Sequence, residues 1–203
     1  MNEINRLVIA TSNTHKTEEI RKLLGPYIKI IEDLKSYPEI DEIEETGRTF
    51  EENASLKASA VGEFLGENSL VLSDDSGLEV CALSGKPGVF SARYAGENAS
   101  DDENRKKLLQ KLNEIDSDMS DWSASFKCVM TLVKGSNKLA TFEGSVQGTI
   151  CDEERGENGF GYDSIFIPEG YENTFAELPS ETKNSISHRY QALEAFTKWL
   201  SEA

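Results

Sequence analysis

The apolar run Leu7-Val8-Ile9-Ala10 breaks off at Thr11-Ser12-Asn13-Thr14-His15-Lys16, and an amphipathic pattern follows at once. This junction constrains the fold more than any other stretch. Arg6 to Ala10 reads as a buried strand, and Ile20, Leu23 and Leu24 recur at helical spacing until Gly25-Pro26 stops them. Tyr27 to Ile31 is a second strand candidate. Thr49 to Glu52 forms a capping box ahead of a helix with Leu56, Ala60, Val61, Phe64 and Leu65 on one face. Ser69 to Ser73 reads as a strand ending at Asp74-Asp75-Ser76-Gly77, and Ser84 to Gly96 as a long loop. Ser100 to Glu103 caps a further helix through Leu108, Leu109 and Leu112. Trp122 to Val133 alternates as a strand, with Leu139 to Ile150 as its hairpin partner. Asp163 to Ile167 is a short strand, and Ile186 to Leu200 a terminal helix. The order is mixed α/β with an antiparallel portion in the second half.

The chain of 203 residues can bury one sizeable core, or two lobes sharing a sheet. Its net charge of −16 disfavours a nucleic-acid polymer or an anionic membrane as partner, since both need a basic surface. No segment is apolar for long enough to span a bilayer. Met1 to Asn5 carry no basic cluster of the kind that opens a secretory leader. The 3 cysteines are few and widely spaced, which suits buried thiols in a reducing compartment, and a cytoplasmic location is expected. A small anionic substrate remains open, provided that lysines, backbone amides or a divalent cation offset the field.

Several stretches could carry chemistry. A strand that turns into a helix through small polar residues exposes unpaired amides at a dipole's positive end, which favours an anion. Thr11, Ser12 and Asn13 add hydrogen-bonding side chains, and Lys16 a positive charge. Read alone, the stretch favours ordinary capping by Thr14 or Asn13 with a solvated lysine, for the chain has no G-x-x-x-x-G-K-[ST] loop. Asp74 and Asp75, in "SDDSG", suit a hard cation such as Mg²⁺, though in a strand they point to opposite faces. Read alone, the stretch is as well an acidic turn. Glu44 and Glu45, in "EIEETG", could add a carboxylate or be a solvated loop. In "GFGYDSIF", glycines on both sides of Phe160 allow close backbone approach, and Phe160 or Tyr162 could stack on a planar ligand. "KNSISHRY" gathers Lys183, His188 and Arg189 near a helix start, where a helix dipole alone does not explain cations. No zinc-type His/Cys spacing and no G-x-S-x-G elbow occur.

Together, "ATSNTHKTEEI", "EETGRTFEENASLKA", "SDDSGLEV", "GKPGVFSARYAGENA", "GFGYDSIF" and "AELPSETKNSISHR" resemble, in order and over nearly the whole chain, the inosine triphosphate pyrophosphatase family. The resemblance implies a single domain over residues 1–203: an elongated twisted mixed β-sheet flanked by helices, with two lobes around a central nucleotide cleft. It implies hydrolysis of non-canonical purine nucleoside triphosphates, ITP and XTP and their deoxy forms, to monophosphate and pyrophosphate. A homodimer and Mg²⁺ are implied with it. Thr11, Ser12, Asn13, Thr14, His15 and Lys16 would then bind phosphate, with Lys57. Glu45, possibly with Glu44, and Asp75 would hold the metal, and Asp75 would also accept a proton. Ser76 would contact substrate; Phe160, Gly161, Tyr162, Asp163, Lys183, His188 and Arg189 would form the base pocket. As ligand-facing groups, Lys16 and Lys57 are expected to matter little to stability. Ser12, Ser73, Ser164 and Thr182 depart from the family's usual residues, and Ser164, in place of a proline, could loosen the base-pocket turn. A similar enzyme for a pyrimidine or modified nucleotide, or a non-catalytic nucleotide-binding module, are the alternatives.

Overall fold

The computed structural model describes residues 4–115 and 122–202. The reading of Met1 to Glu3 as lacking a leader lies outside them. The opening junction folds as its pattern dictates. Strand β1 (Arg6–Ile9) passes into helix α1 (Thr14–Leu24), whose N-cap Asn13 accepts a hydrogen bond from Lys16 N at 3.2 Å. Then come β2 (Ile30–Asp33), α2 (Phe50–Leu65), β3 (Leu70–Val80), β4 (Lys86–Pro87), α3 (Asp101–Glu114), β5 (Ser123–Lys134) and β6 (Asn137–Ile150). The chain closes with β7 (Phe166–Pro168), α4 (Ser180–Ile186) and α5 (His188–Glu202). The strands form a mixed sheet in the order β2-β1-β3-β5-β6-β7, with β4 on β3. β1 runs parallel to β2 and β3, whereas β3–β4 and β6–β7 are antiparallel. No helix of the described residues is long and apolar enough to cross a membrane.

Two compact units divide the chain, one of residues 1–75, 128–144 and 190–203, the other of 76–127 and 145–189. In the first, strand alternation sorts side chains onto two faces. Leu7, Ile9, Leu72, Met130 and Leu132 pack with Ile20 and Leu24 of α1 and Leu193 and Phe196 of α5. Val8, Ala10, Val71 and Val133 pack instead with Ala58 and Val61 of α2. In the second unit, Leu78, Val80, Phe126, Ile150 and Phe166 enclose Leu108 and Leu112 of α3 with Tyr162 and Phe175. Phe126 and Phe166 meet edge to face at 4.7 Å between centroids.

Six expectations need correction. The strand expected over Tyr27 to Ile31 is Ile30–Asp33, and the loop expected over Ser84 to Gly96 holds β4 and a 3₁₀ turn (Gly88–Arg93). β3 does not end at Ser73 but continues through Asp74 and Asp75 to Val80. The strand expected over Asp163 to Ile167 begins as a 3₁₀ turn (Asp163–Ile165) and is extended only from Phe166. The terminal helix expected from Ile186 begins at His188: Ile186 ends the separate helix α4, and buried Ser187 between the two has an extended backbone (φ −66°, ψ 157°). Finally, Leu56 and Phe64 of α2 are exposed, at 41% and 53%; the buried face is Phe50, Asn53, Ala54, Lys57, Ala58, Val61 and Gly62. Large apolar residues mislead here because α2 lies so close to the sheet that small ones fit beneath it.

Gly62 measures that closeness. A Cβ there would stand 1.8 Å from the carbonyl oxygen of Gly135, in the β5–β6 turn. Alanine gains about 1 kcal/mol over glycine in helix propensity. Overpacking against backbone that cannot rotate away typically costs about 1–3 kcal/mol, or more. Gly62→Ala is therefore expected to destabilise the protein, read as a lower urea midpoint with an unchanged m-value; a raised midpoint would show that α2 is free to shift.

Candidate active site

Because β3 runs on through Asp74-Asp75, its period-two alternation sends adjacent carboxylates to opposite faces. Asp74 lies on the face of α1 and α5. Lys16 Nζ donates to Asp74 Oδ1, and Cys128 Sγ donates to Asp74 Oδ2 at 3.2 Å. Asp75 lies on the face of α2. Lys57 Nζ donates to Asp75 Oδ1 at 3.1 Å, to Glu45 Oε1 at 2.6 Å and to the Asp74 carbonyl at 2.8 Å. Each helix thus brings one lysine to one carboxylate of the strand.

Asn53, one turn before Lys57, joins the strand to the acidic loop. Its Nδ2 donates to Asp75 Oδ2 at 3.2 Å, and its Oδ1 accepts from Gly47 N at 2.7 Å. The sequence reading missed this residue, although Asn53 and Lys57 sit at i,i+4 in the same helix and so share a face. It missed Cys128 too, for a cysteine in an apolar strand looks like core. Ser73 is held by the carbonyl of Ala54, to which its Oγ donates at 2.5 Å.

Burial and charge set the electrostatics. Asp74 and Asp75 are 1% and 5% exposed. Burial pushes the Asp75 carboxyl above its ordinary range, against the opposing pull of Lys57 and Lys16. Burial acts to lower the Lys57 ammonium, but Asp75 and Glu45 outweigh it and raise it. The lysine stays charged, and the aspartate becomes a stronger base than a solvated one.

The other sequence-predicted residues of this unit stand at the start of α1. Thr11 Oγ1 accepts from Asn13 N at 3.2 Å, and Thr14 Oγ1 accepts from Lys35 Nζ at 2.6 Å. Ser12 and His15 are exposed. Glu45 is half-buried against Lys57, whereas Glu44 is exposed.

The second unit holds another cluster. Asp163 Oδ2 accepts from Phe160 N at 2.9 Å and from Lys183 Nζ at 2.6 Å. Lys183 Nζ lies 5.1 Å from the Phe160 ring centroid, and Arg189 Cζ 5.8 Å from it. Arg189 Nη2 donates to Ser76 Oγ at 3.0 Å. Gly159 permits the turn, with φ +79° and no room for a Cβ, which would stand 2.0 Å from Asp163 Oδ2. Of the two rings offered for stacking, Phe160 is half-buried and Tyr162 is in the core; the Tyr162 hydroxyl donates to Ser91 O at 2.8 Å, and burial raises its pKa. His188 is buried and stacks on Phe126 at 4.9 Å. Gly161 forms the tip of the turn. Ser164 does not leave the turn loose: its Oγ donates to Glu154 Oε2 at 3.2 Å, and its carbonyl accepts from Arg155 N at 2.8 Å.

The lysines are part of the fold, contrary to the expectation that they matter little to stability. Removing one partner of a buried pair leaves the other charge uncompensated, at a cost of about 3–5 kcal/mol. Lys57→Ala is expected to lose stability of that order without any ligand, and Asp75→Asn in the same chain to recover part of it. Urea unfolding of both checks this; an unchanged midpoint for Lys57→Ala would mean that the ammonium contributes nothing to folding.

Comparison with known proteins agrees with the motif resemblance. The model of the Ham1 family matches residues 7–199. A dITP/XTP pyrophosphatase of Bacillus cereus is 45% identical, covering 100% of this chain and 98% of its own. One of Desulforamulus reducens is 47% identical over 93% of this chain and 92% of its own. Among solved structures, a HAM1 protein from Coxiella burnetii superposes with a TM-score of 0.88 at 44% identity, covering 98% of this chain and 100% of that one. The fold, the motifs and these relatives together place the chain in the Ham1 family.

Proposed function

We propose that this protein hydrolyses non-canonical purine nucleoside triphosphates, ITP and XTP and their deoxy forms, to the monophosphate and pyrophosphate, and so cleanses the nucleotide pool. The observation that carries the reading is the pair of β3 carboxylates, each held by a helix lysine, with Glu45 on the same ammonium as Asp75. The pyrophosphatase names of full-length relatives support it.

Asp75 accepts the proton of the attacking water, a role its raised pKa favours. Lys16 and Lys57 hold the phosphate oxygens and the leaving pyrophosphate. An ammonium has three protons, so Lys16 can donate to substrate while keeping Asp74; the three protons of Lys57 are taken by Asp75, Glu45 and the Asp74 carbonyl, so it reaches a phosphate oxygen by giving up one of them. The amides and hydroxyls from Thr11 to His15, at the positive end of α1, take further phosphate oxygens.

Glu45 and Asp75 fit Mg²⁺. Both offer hard oxygen donors, and both already reach one cationic point, Lys57 Nζ. Among the described residues no group of three or more His, Cys, Asp or Glu could hold a metal. Mg²⁺ needs no such group, because one or two carboxylates plus substrate phosphates and waters satisfy it. When bound there, the ion would neutralise phosphate charge and acidify water. Glu45 is the better partner than Glu44, which is exposed.

Phe160 offers a ring for the base; Lys183 and Arg189 offer donors suited to the C6 carbonyl of hypoxanthine or xanthine, where adenine carries an amino group. Asp163 orients Lys183. A site that pairs polar groups can reject a mismatched analogue by up to about 10⁴-fold. His188, stacked on Phe126, fixes the start of α5 beside Arg189. A homodimer in the cytoplasm completes the reading.

Pyrophosphate release from ITP, XTP, GTP, ATP and TTP, with and without Mg²⁺, tests it. Turnover is expected with ITP and XTP well above ATP, and loss on chelation. Preference for TTP would favour the pyrimidine alternative, and binding without turnover the non-catalytic one. Asp75→Asn is expected to fold and lose about 10²–10⁴-fold in kcat; near-normal turnover of folded Asp75→Asn would remove Asp75 from the chemistry.

A further inference from the structure

The turn from Gly159 to Asp163 is gripped by a helix to which the functional reading gives no role. The amide of Gly161 donates to Asp101 Oδ2 at 2.6 Å, and its carbonyl accepts from Arg105 Nη1 at 2.8 Å. Asp101 and Arg105 stand one turn apart in α3. Opposite charges at that spacing usually pair with each other, for little gain. Here they hold the N–H and the C=O of one residue instead, which belong to the two peptide groups on either side of the Gly161 Cα. Charge-assisted bonds to both groups fix φ and ψ of Gly161 between them.

The grip is itself braced. Arg105 Nε donates to Glu154 Oε2 at 2.8 Å, the oxygen that also accepts from Ser164 Oγ. Asn104, between them on α3, donates from Nδ2 to Ala92 O at 3.0 Å and accepts from Ala95 N at 2.7 Å. Tyr162 reaches the same segment through Ser91 O. Leu108 and Leu112 anchor α3 in the core. The turn's own bonds join Phe160 to Asp163 and leave Gly161, whose backbone is intrinsically free, to be held from outside. Its neighbours on either side of Gly161 are Phe160 and Tyr162, and Asp163 N donates to Phe160 O at 3.2 Å. Any change of φ or ψ at Gly161 therefore moves the Phe160 ring and, through Asp163, the Lys183 ammonium.

We propose that Asp101 and Arg105 are positioning residues for base selection: they clamp the two peptide groups that flank Gly161 and so hold Phe160, Asp163 and Lys183 in the arrangement that distinguishes a C6 carbonyl from a C6 amino group. This rests on the base-binding reading above. The clamp bonds to the turn and not to Asp75, Lys16 or Lys57, so it acts on discrimination and not on the chemical step.

The test compares Asp101→Ala, Asp101→Asn and Arg105→Met with wild type, measuring kcat/KM for ITP and ATP and hydrogen exchange of the segment around Gly161. Expected are exchange faster than wild type in Asp101→Ala and Arg105→Met, and an ITP:ATP ratio lowered about tenfold by loss of ITP turnover, with ATP nearly unchanged. Asp101→Asn keeps an acceptor oxygen and is expected to keep the ratio. Equal losses on both substrates, or failure of Asp101→Asn to restore the ratio, would overturn the clamp as a selector and leave it a structural tie. If Arg105→Met does not fold, the exposed Asp101 decides alone. A wild type that hydrolyses ITP and ATP alike would overturn the base reading itself, a result distinct from a selective wild type whose variants keep its ratio, which overturns only the clamp.

Discussion

Two neighbouring carboxylates on one buried strand cannot both be charged unless each has its own cation, and this constraint organises the first unit. Strand geometry separates Asp74 from Asp75 by sending them to opposite faces. α1 and α2 cover those faces, and each supplies a lysine at the depth required. Breaking even one pair would leave a charge in the interior, at a cost comparable with a sizeable part of a domain's net stability. The helices are thus held to the sheet by charge as well as by apolar contact. The same lysines are those a triphosphate would meet, so folding and binding draw on one set of charges.

The elements of the chain were legible where one local signal dominated. The strand–turn–helix opening, the capping boxes at Thr49 and Ser100, and the hairpin around Gly135 follow from patterns only a few residues long. Errors arose where a distant contact overrode such a pattern. β3 runs past its carboxylates because Lys16 and Lys57, far along the chain, make a charged stretch tolerable inside the sheet. The buried face of α2 carries small apolar residues at Ala54, Ala58, Val61 and Gly62, with the Gly135 backbone against Gly62, and no hydrophobicity pattern reports a backbone. The break at Ser187 was hidden for a related reason: apolar spacing continues through it, while its extended φ and ψ leave no trace in composition.

The candidate site residues were readable as residue types, while their partners were not. Asp75, Lys16 and Lys57 could be named from motifs, yet nothing in those motifs reveals that Lys57 also meets Glu45 and a backbone carbonyl. Asn53 and Cys128 were invisible for the opposite reason, being unremarkable types made important by what they touch. In the second unit, Asp163 could be assigned to a base pocket, but its joint hold on Phe160 N and Lys183 depends on a turn that only the folded backbone creates.

The contact of Gly62 with Gly135 has a consequence for how such a chain can vary. Ordinarily the height of a helix above a sheet is the sum of the side chains between them, so every core substitution shifts it a little. Here two backbones touch, and the separation is fixed by atoms that no substitution elsewhere can alter. Lys57 lies in the same rigid helix, so its reach to Asp75 is indexed to that contact point. Ala54, Ala58 and Val61 can drift among residues of similar size while the ammonium keeps its place. A stop of this kind lets the packing around a catalytic group diversify over generations without retuning the group itself.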